Sequence, residues 1–165
     1  MNSPSYNIRL IRSEDNEPVA TLIRRSLELY DLALPGTSYF DSSLDYLYDH
    51  YQNQERSVYF VMEVEDKIVG CGGVGPIPGL TETAELQKLY LESNYIHKGL
   101  GRVLFQTIRA QALELGYSQL YLESSDKLVD ALKFYERQGF KPLNGPLEAM
   151  SQGHFTMNQW MVLDL

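Results

Sequence analysis

The chain has 165 residues, 44% hydrophobic and 22% charged, with 22 acidic against 14 basic side chains and a formal charge of −8. Size and composition fit a single soluble domain, residues 1–165, and the charge argues against nucleic acid as the main partner, since neutralising phosphates needs a surplus of Lys and Arg. Cys71 is alone, no Cys/His set has zinc spacing, no apolar run is long enough for a membrane span and MNSPSYNIRLIRSEDNEP lacks an apolar signal segment, so a cytoplasmic protein with no metal and no membrane partner is expected.

Residues 7–12 (NIRLIR) alternate polar and apolar and predict a first strand. A helix follows over 14–30, with Pro18 in its first turn and an apolar stripe of Val19, Leu22, Ile23, Leu27 and Tyr30. After the turn signal in LALPGTSYF, Asp41 suits the N-cap of a second helix carrying Leu44, Leu47, Tyr48 and Tyr51. Residues 57–65 and 67–73 read as a hairpin closed at Asp66-Lys67, Pro76 to Gly79 as a loop, and 84–91 (AELQKLYL) as another strand. A helix over 100–115 ends at Gly116, a strand spans 118–123, a helix spans 126–138 before Gly139, and 156–165 is a last strand. The strand–helix–strand unit at 84–123 requires parallel pairing and the hairpin antiparallel pairing, giving an α/β (α+β) mixed sheet.

Two glycine clusters invite a ligand. GCGGVG at 70–75 matches the dinucleotide pattern G-x-G-x-x-G, but Pro76-Ile77-Pro78-Gly79 follows it, and no helix opens there. These glycines are expected to mark a bulge or close packing, with Cys71 as a buried small hydrophobe. In YIHKGLGRVLF at 95–105, by contrast, Gly99 and Gly101 stand where a helix begins, flanked by Lys98 and Arg102. The first N–H groups of a helix lack partners and carry its positive dipole end, so two missing side chains and two cations there suit a phosphate or pyrophosphate. A glycine-eased turn without a ligand is the other reading.

AELQKLYL, ESNYIHKGLG, RVLFQTIRAQALELG, YSQLYLES and ALKFYERQGF together resemble the GNAT acyltransferase superfamily over residues 84–140, and the lead-in and WMVLDL fit the remainder. The loop corresponds to that family's [QR]-x-x-G-x-[GA] signature for the pyrophosphate of acetyl-CoA, with Ile96 at the first position. The resemblance implies a single-domain sheet with helices on both faces and a splayed central parallel pair holding the pantetheine arm. It further implies that the N–H groups of Leu89 and Leu91 meet the thioester and pantetheine, and that His97, Lys98, Gly99, Leu100, Gly101 and Arg102 cradle the pyrophosphate. Ser124 or Ser125 replaces an asparagine contact of the family.

The implied reaction is acetyl transfer from acetyl-CoA to an amine. By resemblance Glu85 is the base and Tyr135, in FYERQGF, the acid on the departing thiolate; a tyrosine stays protonated at neutral pH. Tyr135 also completes a core stripe with Leu128, Ala131 and Leu132, and Glu85 alternatively meets only solvent or a cation. Tyr30, Tyr39 and His154 are candidates for the acceptor pocket, with Arg24 or Arg25 as carboxylate binders. The expected acceptor is a small-molecule amine, amino-acid-like; a protein acetyltransferase and a non-catalytic acyl-CoA-binding module are the alternatives. Monomer and homodimer both stay open.

Overall fold

A computed structural model describes residues 4–150 and 154–165. The strands are β1 (Asn7–Leu10), β2 (Val58–Val64), β3 (Lys67–Ile77), β4 (Leu80–Leu91), β5 (Gln119–Ser124), β6 (Lys141–Leu143) and β7 (Gln159–Asp164). The helices are α1 (Asn16–Glu28), α2 (Leu47–Gln52), α3 (Leu100–Glu114) and α4 (Val129–Arg137). All the strands join one sheet of order β1-β2-β3-β4-β5-β7-β6. Its pairings are antiparallel except β4–β5, the mixed α/β arrangement expected.

Strand alternation divides the core in two. On one face α1 and α2 bury Val19, Ile23, Leu27, Leu47 and Tyr51 against Tyr59, Val61 and Cys71. On the other, Leu104, Phe105 and Ile108 of α3 and Tyr135 of α4 meet Phe60, Met62, Val74, Leu86 and Leu122.

Three local expectations are corrected. Residues Pro76 and Ile77 continue β3, and β4 begins at Leu80, so the turn is Pro78-Gly79 and closes a second hairpin. Pro76 sits at a register irregularity, where a missing N–H is tolerated. Asp41 caps no α-helix: a short 3-10 turn at Leu44–Tyr46 precedes α2, and the Asp41 side chain is engaged elsewhere. The strand β6 (KPL) is too short to show alternation and has no counterpart in the sequence reading.

The glycines of β3 serve packing, as their sequence context implied. A Cβ on Gly73 would overlap the Val58 carbonyl oxygen and stand 2.9 Å from Tyr59 Cα; one on Gly72 would stand 2.7 Å from Leu89 Cδ1. Burial raises the Cys71 thiol to about 12, so it stays a protonated hydrophobe.

The parallel pair is short. Only Thr83–Gln119, Ala84–Leu120 and Glu85–Tyr121 are in register. Beyond them β4 bends, because Cys71 faces Tyr90 and Gly73 faces Gln87, leaving Gly72 opposite both Lys88 and Leu89. Lys88 is the extra residue, in the left-handed region at φ 48°, and such bulges kink and twist a strand.

Gly73→Ala is expected to lower unfolding stability by roughly 3 kcal/mol, the upper end for core overpacking, because backbone rather than a flexible side chain must move. A urea midpoint with an unchanged slope measures it.

Candidate active site

Where β4 and β5 part, a cleft of about 750 Å³ opens, lined from Gly99, Gly101 and Arg102 at the start of α3, past Leu89, Leu91, Leu122 and Tyr135, to Glu85, Glu123 and His154. One end is therefore a helix N-terminus and the other a set of buried titratable side chains.

At the helix end Gly99 is the N-cap, with φ 78° and no side chain to occupy the first N–H groups. Its conformation requires glycine, and a Cβ there would meet nothing within 4 Å. At Gly101 a Cβ would touch only the Phe134 ring, at 3.7 Å, so protein packing does not demand that glycine. The first turn contains no acidic residue, and Arg102 adds a cation beside the dipole. His97 lines this end with its ring 3.8 Å from Asp130. Lys98 lies outside the lining with its ammonium 5.4 Å from the centre of the Tyr95 ring. The Leu100 side chain is in the core and anchors α3, leaving only its backbone at the entrance. Ser125 is buried away from the cleft, its hydroxyl accepting the Lys127 N–H at 3.2 Å, while Ser124 lines the wall.

At the other end, β4 directs Glu85 and Gln87 to the α1/α2 face. The Tyr51 hydroxyl donates to Gln87 Oε1 at 2.6 Å, and Gln87 Nε2 donates to Glu85 Oε1 at 2.8 Å. Burial raises the Glu85 pKa above 4.5; nearby Glu123 adds to that, and Gln87, His154 and Lys88 oppose it. Burial likewise raises Glu123, against the hydrogen bond from Tyr121. Tyr135 is buried on the α4 side with its phenol pushed up to about 12 by burial.

A second polar group ties three segments together. Lys88 Nζ lies 2.7 Å from Asp41 Oδ2, and His154 Nε2 lies 2.9 Å from Asp41 Oδ1. Burial would raise Asp41, but the His154 hydrogen bond and the Lys88 ammonium outweigh it and hold the carboxyl at about 2. The same hydrogen bond raises His154. His154 thus lines the cleft while locking the β7 approach to the lead-in loop, a link repeated by the Thr156 N–H donating to the Gly36 carbonyl at 3.1 Å.

Of the proposed acceptor residues, Tyr30 and His154 line the cleft; Tyr39 does not, and its hydroxyl donates to Glu28 Oε1 at 2.7 Å. Arg24 is occupied by both oxygens of Asp45. Sequence reasoning passed over Asp41, Gln87, Lys88 and Glu123. The alternation of Tyr121 and Glu123 at the end of a strand beside the β-α-β switch point was the available signal for Glu123.

A family model described as "Acetyltransferase (GNAT) family" matches residues 26–140. The chain belongs to that family, and so to the acetyl-CoA-dependent N-acetyltransferases. Over 139 residues it is 35% identical to a protein of Escherichia coli (strain K12) described as an uncharacterized N-acetyltransferase, YjgM, covering 83% of each chain. A GNAT-family acetyltransferase structure from Staphylococcus aureus Mu50 superposes with a TM-score of 0.84 at 17% identity, covering 98% of this chain and 99% of the other. The PaiA N-acetyltransferase of Thermoplasma acidophilum, solved in complex with coenzyme A, does so with a TM-score of 0.75 at 19% identity, covering 98% and 99%. Among the described residues no helix is long and apolar enough to cross a membrane.

The Asp41–His154 pair sets a pH window. His154, raised above 6.5, contributes stability in full below that value and loses it as pH climbs through its folded pKa. Asp41, lowered from 3.8 to about 2, contributes above 3.8 and loses it as pH falls toward 2. Melting temperature should therefore decline on the alkaline side of the window, and His154→Gln should flatten that decline when both proteins are scanned from pH 5 to pH 9.

Proposed function

We propose that the protein transfers the acetyl group of acetyl-CoA to a primary amine of a small molecule by direct attack within the cleft. The observation that carries this reading is the coincidence of a splayed strand pair, an unobstructed helix N-terminus at one end and a buried carboxylate and phenol at the other. The pyrophosphate lies on the N–H groups of residues 99–102, with Arg102 alongside. The pantetheine arm runs along the unpaired edge of β4, meeting the backbone of Leu91 and Leu89.

The chemistry follows from the two ends of the cleft. An alkyl ammonium must lose a proton before attack, and Glu85, raised by burial and steadied by Gln87, accepts it directly or through water. The free nitrogen attacks the thioester carbonyl carbon, and the C–S bond breaks. Tyr135, held fully protonated with a pKa near 12, gives its hydroxyl proton to the leaving sulfur. The proton taken up at Glu85 leaves to solvent, and the second proton, which the nitrogen sheds as the amide forms, returns Tyr135 to its phenol.

Two measurements test this reading. Gly101→Glu should keep the parent melting temperature, since its Cβ makes only an ordinary contact with the Phe134 ring at 3.7 Å and an acidic residue suits a first helical turn, yet lose the thermal protection given by coenzyme A; equal protection of both proteins would overturn the pyrophosphate site. Tyr135→Phe should lower kcat by roughly 10²-fold, within the range of general acid–base catalysis, while the coenzyme A Kd stays within about twofold. An unchanged kcat removes Tyr135 from the chemistry.

A further inference from the structure

Glu85 is held by a side chain two residues further along β4, and that side chain is held in turn from α2. Tyr51 is buried and does not line the cleft. Its hydroxyl donates to Gln87 Oε1 at 2.6 Å, and Gln87 Nε2 donates to Glu85 Oε1 at 2.8 Å. The Tyr51 ring is fixed by a stack on Tyr59, 4.8 Å between centroids, and by the edge contact with His50 at 5.0 Å. On β3, Gly75 is the register partner of Glu85, and a Cβ there would stand 2.8 Å from Gln87 Oε1 and 3.0 Å from Nε2. The amide occupies the room that this missing side chain leaves.

A buried hydroxyl must donate, and among the described residues the Tyr51 hydroxyl has no acceptor but Gln87 Oε1. With its oxygen taken by Tyr51, the amide has only N–H groups left for Glu85. A flipped amide would set its oxygen against Glu85 Oε1, which needs a proton on the carboxyl. Tyr51 therefore selects the ionised carboxylate, the form able to accept a proton, where burial favours the neutral one. The same bond divides the two oxygens. Oε1 is engaged, whereas Oε2 makes no hydrogen bond among the described residues and is not one of the closed-off buried atoms there. On a residue that lines the cleft, Oε2 is the oxygen left for a proton donor.

We infer that Gln87 and Tyr51 are positioning residues for acetyl transfer: Tyr51 fixes the Gln87 amide, the amide fixes Oε1 of Glu85, and Oε2 takes the proton of the incoming ammonium. This rests on Glu85 as the base proposed above. Both residues act through Glu85 and not on the reacting atoms. The other groups facing Glu85 come from several elements. Lys88 on its own strand and His154 on the approach to β7 favour its charge, Glu123 on β5 opposes it, and Asp41 of the lead-in loop engages both cations. Tyr121, its register partner on β5, keeps its hydroxyl on Glu123. All of these remain when residues 51, 75 and 87 are changed, so a change in the titration of Glu85 reports the amide.

Glu85 is titrated directly, through the carboxyl carbon resonance of protein labelled with carbon-13 glutamate and assigned by Glu85→Gln; no acceptor is needed. The parent carboxyl should titrate above 4.5. Gln87→Leu should raise its midpoint by about one pH unit, a tenfold gain in proton affinity, as expected for losing a hydrogen bond to a charged group. Tyr51→Phe, which frees the amide to turn, should raise it by less, and adding Tyr51→Phe to Gln87→Leu should change nothing further, because the first acts only through the second. Gly75→Ala should raise it with every hydrogen-bonding group still present, and it keeps the fold because its Cβ meets the end of a flexible side chain. A cooperative melt establishes that each variant is folded. A parent Glu85 that titrates at or below 4.5 removes the poised base and this inference with it. A raised parent value that any of the three single variants leaves unmoved, or effects of Tyr51→Phe and Gln87→Leu that simply add, overturns the positioning role and leaves Glu85 as the base.

Discussion

The left-handed bulge at Lys88 is the constraint on which the rest of the structure depends. A lysine at φ 48° stores strain of roughly 1–3 kcal/mol. It is offset by the Asp41 ion pair and by the Tyr59 hydroxyl donating to the Lys88 carbonyl at 2.8 Å. The extra residue bends β4 away from β5, so their ladder ends at Glu85–Tyr121. It also resets the alternation. Leu89 and Leu91 turn to the α3 face, and Lys88 joins Glu85 and Gln87 on the α1/α2 face. One inserted residue thus opens the cleft, supplies its apolar wall and delivers the cation that orders its polar end.

The two faces of the sheet divide the work. On the α3/α4 side packing is apolar and aromatic, with Phe134, Tyr135 and Phe140 around Phe105. On the α1/α2 side a chain of hydrogen bonds from Tyr51 through Gln87 reaches Glu85, in a layer that also holds the Asp41 pairs with Lys88 and His154. Gly75 makes this network fit: a Cβ there would stand 2.8 Å from Gln87 Oε1. A carboxylate desolvated in that layer is a stronger base than one in water.

Much of this was legible in the sequence because it rests on periodicity. The stripes Val19-Leu22-Ile23-Leu27 and Leu100-Leu104-Ile108-Ala112 bury as their spacing requires. The clash between G-x-G-x-x-G and the prolines after it correctly made Gly70 to Gly75 a packing feature. Glycines at 99 and 101 marked the helix entrance for the same local reason. What stayed hidden depends on pairs distant in sequence. Asp41 has the profile of a helix cap, and only tertiary contact with Lys88 and His154 shows otherwise. Glu123 looked like the polar end of a strand until Tyr121 and the parting of the strands gave it direction. Ser125 and Tyr39 were near the cleft in chain position yet spend their hydroxyls on Lys127 and Glu28.

The three register pairs between β4 and β5 join an N-terminal half of the sheet, β1 to β4, to a C-terminal half, β5 to β7. Backbone ladders are what resist local opening, and this seam, with as few register pairs as the β6–β7 edge, is the short one that runs through the middle of the sheet, reinforced at its foot by the Ser118 N–H on the Glu82 carbonyl at 2.9 Å. An extended ligand carrying its own amides, laid along the free edge of β4, prolongs that seam without belonging to the chain. In the binding mode proposed above the cosubstrate is then also a splint, and the two halves of the domain are most firmly one body while it is bound.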